Sequence, residues 1–166
     1  MAVLLALGSA IAYGVSDYVG GRASRRRAPV LIATIAELVL LVLTAAIVPL
    51  VETSGPTTAA IGWGMIGGAA GSLGVLGLYA ALARGNMTVV APITGVVAAA
   101  LPVMVGVALG DRPSPLAAIG IALALVAVAL IGGLVGIGHQ RIGIGTVGVA
   151  VVVGGAFGLL FIAYAQ

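Results

Sequence analysis

Two acidic residues fall inside long apolar stretches of the sequence. Asp17 lies in the first stretch and Glu37 in the second. Burying a charged side chain in hydrocarbon costs at least about 2.5–3.5 kcal/mol, so such groups face a polar cavity, find a partner or hold a proton. We hypothesise that at least one of the two carboxylates exchanges protons. The alternative for Asp17 is an ion pair with Arg22 near the membrane surface.

The two carboxylates are predicted to lie near one end of a helical hairpin. A helical rise of about 1.5 Å per residue places Asp17 roughly 6–8 Å from the end of its helix and Glu37 about 12 Å from the start of the next. Because consecutive helices run antiparallel, both depths are measured from the same face of the membrane. The spacing therefore predicts one vestibule that contains both acids.

Hydroxyl and aromatic side chains supply the other candidate binding groups. Tyr13 and Ser16 lie within one or two helical turns of Asp17 on overlapping faces, and Tyr79 and Thr94 lie in later apolar stretches. Such groups hydrogen-bond to a small molecule or stack on it. The alternative interpretation is that they satisfy neighbouring helices or sit in the aromatic belt at the membrane surface.

The composition argues against several kinds of chemistry. There is no cysteine, and the one histidine, His139, has no carboxylate neighbour, so no metal site is predicted. The sequence has no serine–histidine motif and no nucleotide-binding loop, so we predict neither an enzyme nor a bound cofactor. The net charge of +3 comes from arginines between apolar runs, so no nucleic-acid partner is expected.

The elements that carry these residues are six apolar stretches separated by short polar turns. Hydrophobic residues make up 62% of the 166-residue chain and charged residues 7%, a composition that only lipid can solvate. About 20 helical residues cross a hydrocarbon core roughly 30 Å thick. The sequence therefore predicts an all-α polytopic transmembrane bundle. The predicted helices cover about 2–21, 29–51, 59–83, 88–109, 115–137 and 143–164.

Glycine has two predicted roles in this bundle. The Gly20-Gly21 pair is expected to end the first helix ahead of a polar turn. In the third helix, Gly64 and Gly68 are spaced four residues apart, as are Gly67 and Gly71. Such spacing lets helix backbones approach closely and predicts a centrally packed third helix.

Two prolines lie within the fourth predicted helix, Pro92 and Pro102. Proline removes a backbone hydrogen bond and clashes with the preceding turn, so a kinked or broken helix is predicted. We interpret the two prolines as packing kinks, with a role in gating as the alternative.

The distribution of charge between the turns predicts an orientation. The first, third and fifth turns contain Arg22, Arg25, Arg26, Arg27, Arg84 and Arg141, whereas the second and fourth contain Glu52, Asp111 and Arg112. By the positive-inside rule the odd-numbered turns are cytoplasmic and the N-terminus is outside. We interpret the arginines at 22–27 as a topology anchor, with contact to anionic lipid or attraction of a ligand as alternatives.

An internal similarity indicates that a second repeat begins at the sixth helix. The segment 12–15 (Ala-Tyr-Gly-Val) aligns with 156–159 (Ala-Phe-Gly-Leu), with Ala6 and Ala150 in register. We predict a five-helix repeat over 1–138 and the first helix of a second, inverted copy over 139–166. The remaining half of the same chain, or a second copy of it, is the expected protein partner.

Short motifs along the first five helices carry a family resemblance. They are Tyr13-Gly14, Leu78-Tyr79-Ala80-Ala81-Leu82, Pro102, Leu109-Gly110-Asp111-Arg112 and Gly120. In this order they resemble the signature of the EamA-like transporters of the drug/metabolite transporter superfamily. The family usually has Glu where this chain has Asp111, and often a basic residue where it has Asp17. Its members usually have ten helices with the N-terminus inside, so the chain resembles a fragment of such a protein.

The resemblance implies a secondary transporter that moves small metabolites or drugs across a bacterial inner membrane by alternating access, with proton-coupled export as one mode. Its partners would be the lipid bilayer, a small-molecule substrate and protons. The competing interpretation is a non-transporting membrane scaffold, or a subunit that completes its site only with a partner.

Overall fold

The computed structural model describes residues 1–51, 55–84, 87–136 and 143–165, and this part of the chain contains helices and no strand. The helices are α1 (Ala2–Ser24), α2 (Pro29–Val51), α3 (Thr58–Ala83), α4 (Met87–Ala108), α5 (Pro115–Gly136) and α6 (Ile144–Tyr164). The predicted all-α architecture is confirmed. Three residues named in the sequence analysis, Glu52, His139 and Arg141, lie outside the described residues.

Within the part of the chain that the structure describes, five helices are long and apolar enough to cross a membrane. They are Val3–Ser24, Pro29–Val51, Thr58–Ala83, Val89–Ala108 and Ile144–Tyr164. In α5 the same criteria identify only the shorter apolar segment Pro115–Ala127, because the side chains further along this helix are not all described. Large apolar side chains dominate the exposed surface of α1 and α2, as contact with lipid requires.

The third helix, α3, is the centre of the bundle and contacts α1, α2, α4 and α6. Its contact with α6 is made by the glycines Gly67, Gly71, Gly74 and Gly77. A Cβ atom on Gly74 would lie 3.1 Å from the ring of Phe157, and one on Gly77 would lie 2.7 Å from a methyl group of Val153. Because α3 presents almost no side chain on this face, α6 packs against its backbone.

Of the two glycine pairs predicted to pack, only one does so among the described residues. Gly67 and Gly71 face Ala163 and Leu160 of α6, whereas nothing lies within 4 Å of a Cβ placed on Gly64 or Gly68. A spacing of four residues permits close approach on a helix face but does not determine which face is used. The contact surface of α3 lies on the side of Gly67.

The sixth helix, α6, lies between α3 and α4 and runs parallel to α4. A Cβ atom on Gly154 would lie 2.6 Å from Cβ of Val97 and 2.8 Å from the carbonyl oxygen of Thr94. The Thr94 hydroxyl donates a hydrogen bond of 3.2 Å to the carbonyl oxygen of Ala150. These close contacts unite the three helices, hereafter the α3–α4–α6 unit.

The first helix does not end at Gly20-Gly21 as predicted but continues to Ser24. Both glycines are buried against α3. A Cβ atom on Gly21 would lie 2.8 Å from a methyl group of Leu82, and one on Gly20 would overlap the ring of Tyr79. These glycines allow α1 to approach α3, and the backbone keeps its helical hydrogen bonds where lipid offers none.

The fourth helix is continuous from Met87 to Ala108 with Pro92 and Pro102 inside it, so the prolines do not break it. Two residues after the helix ends comes Gly110, whose φ of +105° lies in the left-handed region that favours glycine. The backbone N–H of Asp111 then donates to the carbonyl oxygen of Gly106 at 2.9 Å. This geometry accounts for the Leu-Gly-Asp-Arg motif at 109–112.

Candidate functional site

Tyr79 of α3 is the centre of a polar cluster between three helices. Its side chain is 4% exposed, and its ring packs on Gly20 of α1. The Tyr79 hydroxyl forms a side-chain hydrogen bond with Ser16 of α1. The carboxylates of Asp17 in α1 and Glu37 in α2 both interact electrostatically with this hydroxyl. Ser16, Asp17, Glu37 and Tyr79 are hereafter the Tyr79 cluster.

Helix geometry explains why Ser16 and Tyr79 meet. Ser16 and Gly20 are four residues apart and therefore lie on one face of α1. Gly20 lacks a side chain, so the ring of Tyr79 rests on the backbone there. Long side chains in helices point back toward the N-terminus of their own helix. Since α1 and α3 run parallel, the Tyr79 hydroxyl reaches the level of Ser16.

The two carboxylates lie at similar depths in their helices. Asp17 is seven residues before the end of α1 at Ser24, which corresponds to about 10 Å. Glu37 is eight residues after the start of α2 at Pro29, which corresponds to about 12 Å. Because α1 extends beyond its predicted end, Asp17 lies deeper than the sequence predicted, close to the level of Glu37.

Glu37 also lines an open cleft of about 420 Å³ between α2 and α3. The lining residues are Val30, Ala33, Thr34, Glu37, Leu38, Leu41, Ser72 and Leu76. Glu37 is half-buried and is the charged member of this set. The cleft thus combines apolar walls with a carboxylate and two hydroxyl groups, an arrangement suited to a small ligand with an apolar body and a polar end.

Basic side chains do not neutralise the Tyr79 cluster within the part of the chain that the structure describes. Among the described residues, Asp17 and Arg22 form no ion pair. The two residues are five positions apart on α1, a separation that places side chains on different faces of a helix. Arg22 is exposed near the helix end.

Two other candidates from the sequence, Tyr13 and Thr94, lie outside the cluster. Tyr13 is 65% exposed on α1. Thr94 is buried in the α3–α4–α6 unit, where its hydroxyl is bonded to α6. Pro92 and Pro102 belong to α4, which contributes no residue to the cluster or to the cleft. The structure therefore brings together Ser16, Asp17, Glu37 and Tyr79, and separates the remaining candidates from them.

Sequence analysis missed two hydroxyl residues of the cleft, Thr34 and Ser72. Thr34 precedes Glu37 by three residues, and Ser72 precedes Tyr79 by seven. Both spacings place the side chains on a shared helix face. A search for hydroxyl residues at helical spacing from each candidate would have identified both of them.

The predicted topology anchor lies at the same end of the bundle as the cluster. Arg22, Arg25, Arg26 and Arg27 are exposed at the end of α1 and in the turn to α2. The backbone N–H groups of Arg26 and Arg27 donate to the carbonyl oxygen of Ala23 at 2.9 and 3.0 Å, which closes the turn tightly. The four arginines therefore share one end of the bundle.

Comparison with known proteins identifies one family. The sequence model of the EamA-like transporter family matches residues 1–133. The match spans α1 to α4, most of α5 and every member of the Tyr79 cluster. The family is consistent with the drug/metabolite transporter superfamily and is generally non-enzymatic. No curated protein and no solved structure matches the chain.

Proposed function

Because the chain belongs to the EamA-like transporter family, we propose that this integral membrane protein is a secondary transporter of small metabolites or drugs in the cytoplasmic membrane of a bacterium. It works by alternating access and exports its substrate in exchange for protons. The Tyr79 cluster binds the proton and, with the adjoining cleft, the substrate. The turns that carry the exposed arginines face the cytoplasm.

The observation that carries this proposal is that the buried Tyr79 hydroxyl, hydrogen-bonded to Ser16, lies within electrostatic range of both Asp17 and Glu37 inside apolar helices. A carboxylate at this depth can release a proton when a substrate arrives and take one up when the substrate leaves. For a positively charged substrate such an exchange keeps the charge in the apolar region nearly constant, which matters because unpaired charge there is costly. The substrate and the proton thereby compete for one site.

The packing of the bundle supports alternating access. In the α3–α4–α6 unit, α6 contacts both α3 and α4 extensively, whereas α1 and α2 are mostly exposed and contact α3 less extensively, near the cluster. We propose that the α1–α2 hairpin moves relative to the unit and exposes the cluster to each side in turn. A second inverted repeat that begins with α6, or a second copy of the chain, completes the pathway.

Uptake by proteoliposomes tests this function. The liposomes contain the protein, a mixed panel of metabolites and cationic drugs is supplied with or without an imposed pH gradient, and uptake is read by mass spectrometry. We expect gradient-driven uptake of at least one compound, lost in Asp17→Asn or Glu37→Gln. Asp111→Asn removes an exposed carboxylate outside the helices and is the matched control.

Unchanged gradient-driven uptake in both Asp17→Asn and Glu37→Gln would contradict proton exchange at the Tyr79 cluster. Transport of no compound by a folded protein would favour the scaffold interpretation over the transporter.

A further inference from the structure

We infer that the cleft between α2 and α3 selects amphiphilic organic cations, meaning amines or quaternary onium ions with an apolar body, over anions. This inference rests on the proposed function, because it names the substrate class of the same site.

The lining of the cleft has the chemistry of such a ligand. Most of its side chains are aliphatic and would contact an apolar body. Glu37 offers a carboxylate at one position of this lining, and Thr34 and Ser72 offer hydroxyl oxygens that accept an N–H donor. An aliphatic pocket with one acidic group complements a molecule that is apolar over most of its surface and positively charged at one point.

The charge within the cleft lining is negative and comes from Glu37, whereas the arginines before α2 lie about 12 Å away along that helix. Asp17 does not line the cleft, but it interacts electrostatically with the same Tyr79 hydroxyl as Glu37, so a second acidic group lies nearby. No lysine occurs in the chain, and the described arginines all lie in turns or near helix ends. Electrostatic interactions are strong in an apolar environment, so an anion in the cleft would be repelled and a cation attracted.

The geometry lets a ligand reach Glu37 without separating helices. The cleft is open to one side, and Val30, Leu38 and Leu41 along its α2 wall are exposed. Glu37 is itself half-buried rather than enclosed. A cation with an apolar body, which partitions into the membrane surface, can therefore approach the carboxylate along the apolar wall of α2.

The test uses two probes of the same shape and opposite charge, tetraphenylphosphonium and tetraphenylborate. Equilibrium binding of each is measured to the purified full chain in lipid nanodiscs, with empty nanodiscs subtracted. We expect saturable binding of tetraphenylphosphonium and none of tetraphenylborate. Glu37→Gln should weaken the binding roughly tenfold or more, since it removes a charged partner. Asp17→Asn should weaken it less, and the control Asp111→Asn should leave it unchanged.

A second variant separates loss of charge from loss of folding. Thr34→Lys places a positive charge on the exposed wall of the cleft, three residues from Glu37. It should abolish binding of tetraphenylphosphonium while the protein stays monodisperse by size-exclusion chromatography. Saturable binding of tetraphenylborate, or unchanged affinity for tetraphenylphosphonium in Glu37→Gln, would overturn the inference.

The outcomes distinguish this inference from the proposed function. Binding of tetraphenylphosphonium that depends on Glu37 supports the cation site even when no gradient-driven transport is found. Gradient-driven transport of neutral or anionic compounds by a protein that does not bind tetraphenylphosphonium overturns the cation site and leaves the transporter standing.

Discussion

The α3–α4–α6 unit and the α1–α2 hairpin consist of the same kind of apolar helix but are packed in different ways. In the unit, a Cβ atom on Gly154 would meet the backbone carbonyl oxygen of Thr94 at 2.8 Å. Where the hairpin contacts α3, a Cβ atom on Gly20 would meet the ring and hydroxyl at the end of the Tyr79 side chain. Backbone cannot yield at such a contact, whereas a side chain can.

This difference is the basis for locating the proposed movement and proton exchange at the hairpin and its junction with the unit. Without a hydrophobic driving force in lipid, helices associate through close packing, so the more extensive contacts of α6 with α3 and α4 make the α3–α4–α6 unit the rigid part. The hairpin depends on fewer contacts, made largely by side chains, and the polar groups lie at its junction with the unit. A junction of this kind can open and close while the unit keeps its shape.

The largest expected effect is on the stability of the rigid unit. Gly154→Ala places a methyl group against Val97 and the Thr94 carbonyl and should destabilise the protein by about 3 kcal/mol, the upper end for overpacking. Gly155→Ala is the matched control, because nothing lies within 4 Å of its Cβ position. Unfolding in mixed micelles measures both variants. Equal stability of the two would contradict the proposed contrast in packing.

A smaller effect on stability, but a large effect on transport, is expected at the junction. Gly20→Ala pushes the Tyr79 side chain away from Ser16 and should cost about 1 kcal/mol, because a side chain yields more easily than backbone. Gradient-driven transport should nevertheless fall roughly tenfold, because the function of a site is sensitive to small displacements of the side chains that form it. Gly14→Ala, which has open space at Cβ, is the control. Normal transport in Gly20→Ala would show that the cluster geometry is unimportant.

The hydrogen bond inside the unit should matter for stability alone. Thr94→Val removes the bond to the Ala150 carbonyl and should lower stability by about 0.6 kcal/mol, the average for such bonds between membrane helices. Transport by the folded fraction should equal that of the unmodified protein. A specific loss of transport in Thr94→Val would place substrate contact at α4, as the sequence suggested.

The smallest expected effect is the coupling between Ser16 and Tyr79. Ser16→Ala and Tyr79→Phe each remove the same hydrogen bond, so a double-mutant cycle in unfolding experiments should show a coupling energy of about 0.5 kcal/mol. The pH profile of transport should change in both variants in the same way. Additive effects on stability, together with unchanged pH profiles of transport, would show that the Tyr79 hydroxyl takes no part in proton exchange.

Hydropathy predicted the membrane helices well, because length and composition alone determine whether a helix can span lipid. It could not predict which helix face packs, since both the lipid-facing and the buried faces are apolar. Gly67/Gly71 and Gly64/Gly68 have the same spacing in the sequence, yet only the first pair contacts α6. The Gly20-Gly21 pair was predicted to end the first helix, because the sequence does not show which glycines face a neighbouring helix. In the structure this pair forms the contact of α1 with α3.

The candidate site was partly predictable. The cost of a charge in hydrocarbon singled out Asp17 and Glu37, and helical rise placed them at nearby depths. Tyr79 and Thr94 were equivalent as hydroxyl residues in apolar stretches, and only tertiary packing separates them. Tyr79 meets α1 and the carboxylates, whereas Thr94 is bonded to α6. Thr34 and Ser72 become relevant only once α2 and α3 are seen to form a cleft.

The most direct test of the central claim is proton movement caused by substrate. Proteoliposomes loaded with a pH-sensitive dye receive the compound panel, and the dye reports proton flux for the unmodified protein, Asp17→Asn, Glu37→Gln and Asp111→Asn. We predict flux in the unmodified protein and in Asp111→Asn, and its loss when either carboxylate of the Tyr79 cluster is neutralised. Undiminished flux in both Asp17→Asn and Glu37→Gln would contradict the assignment of proton exchange to this cluster.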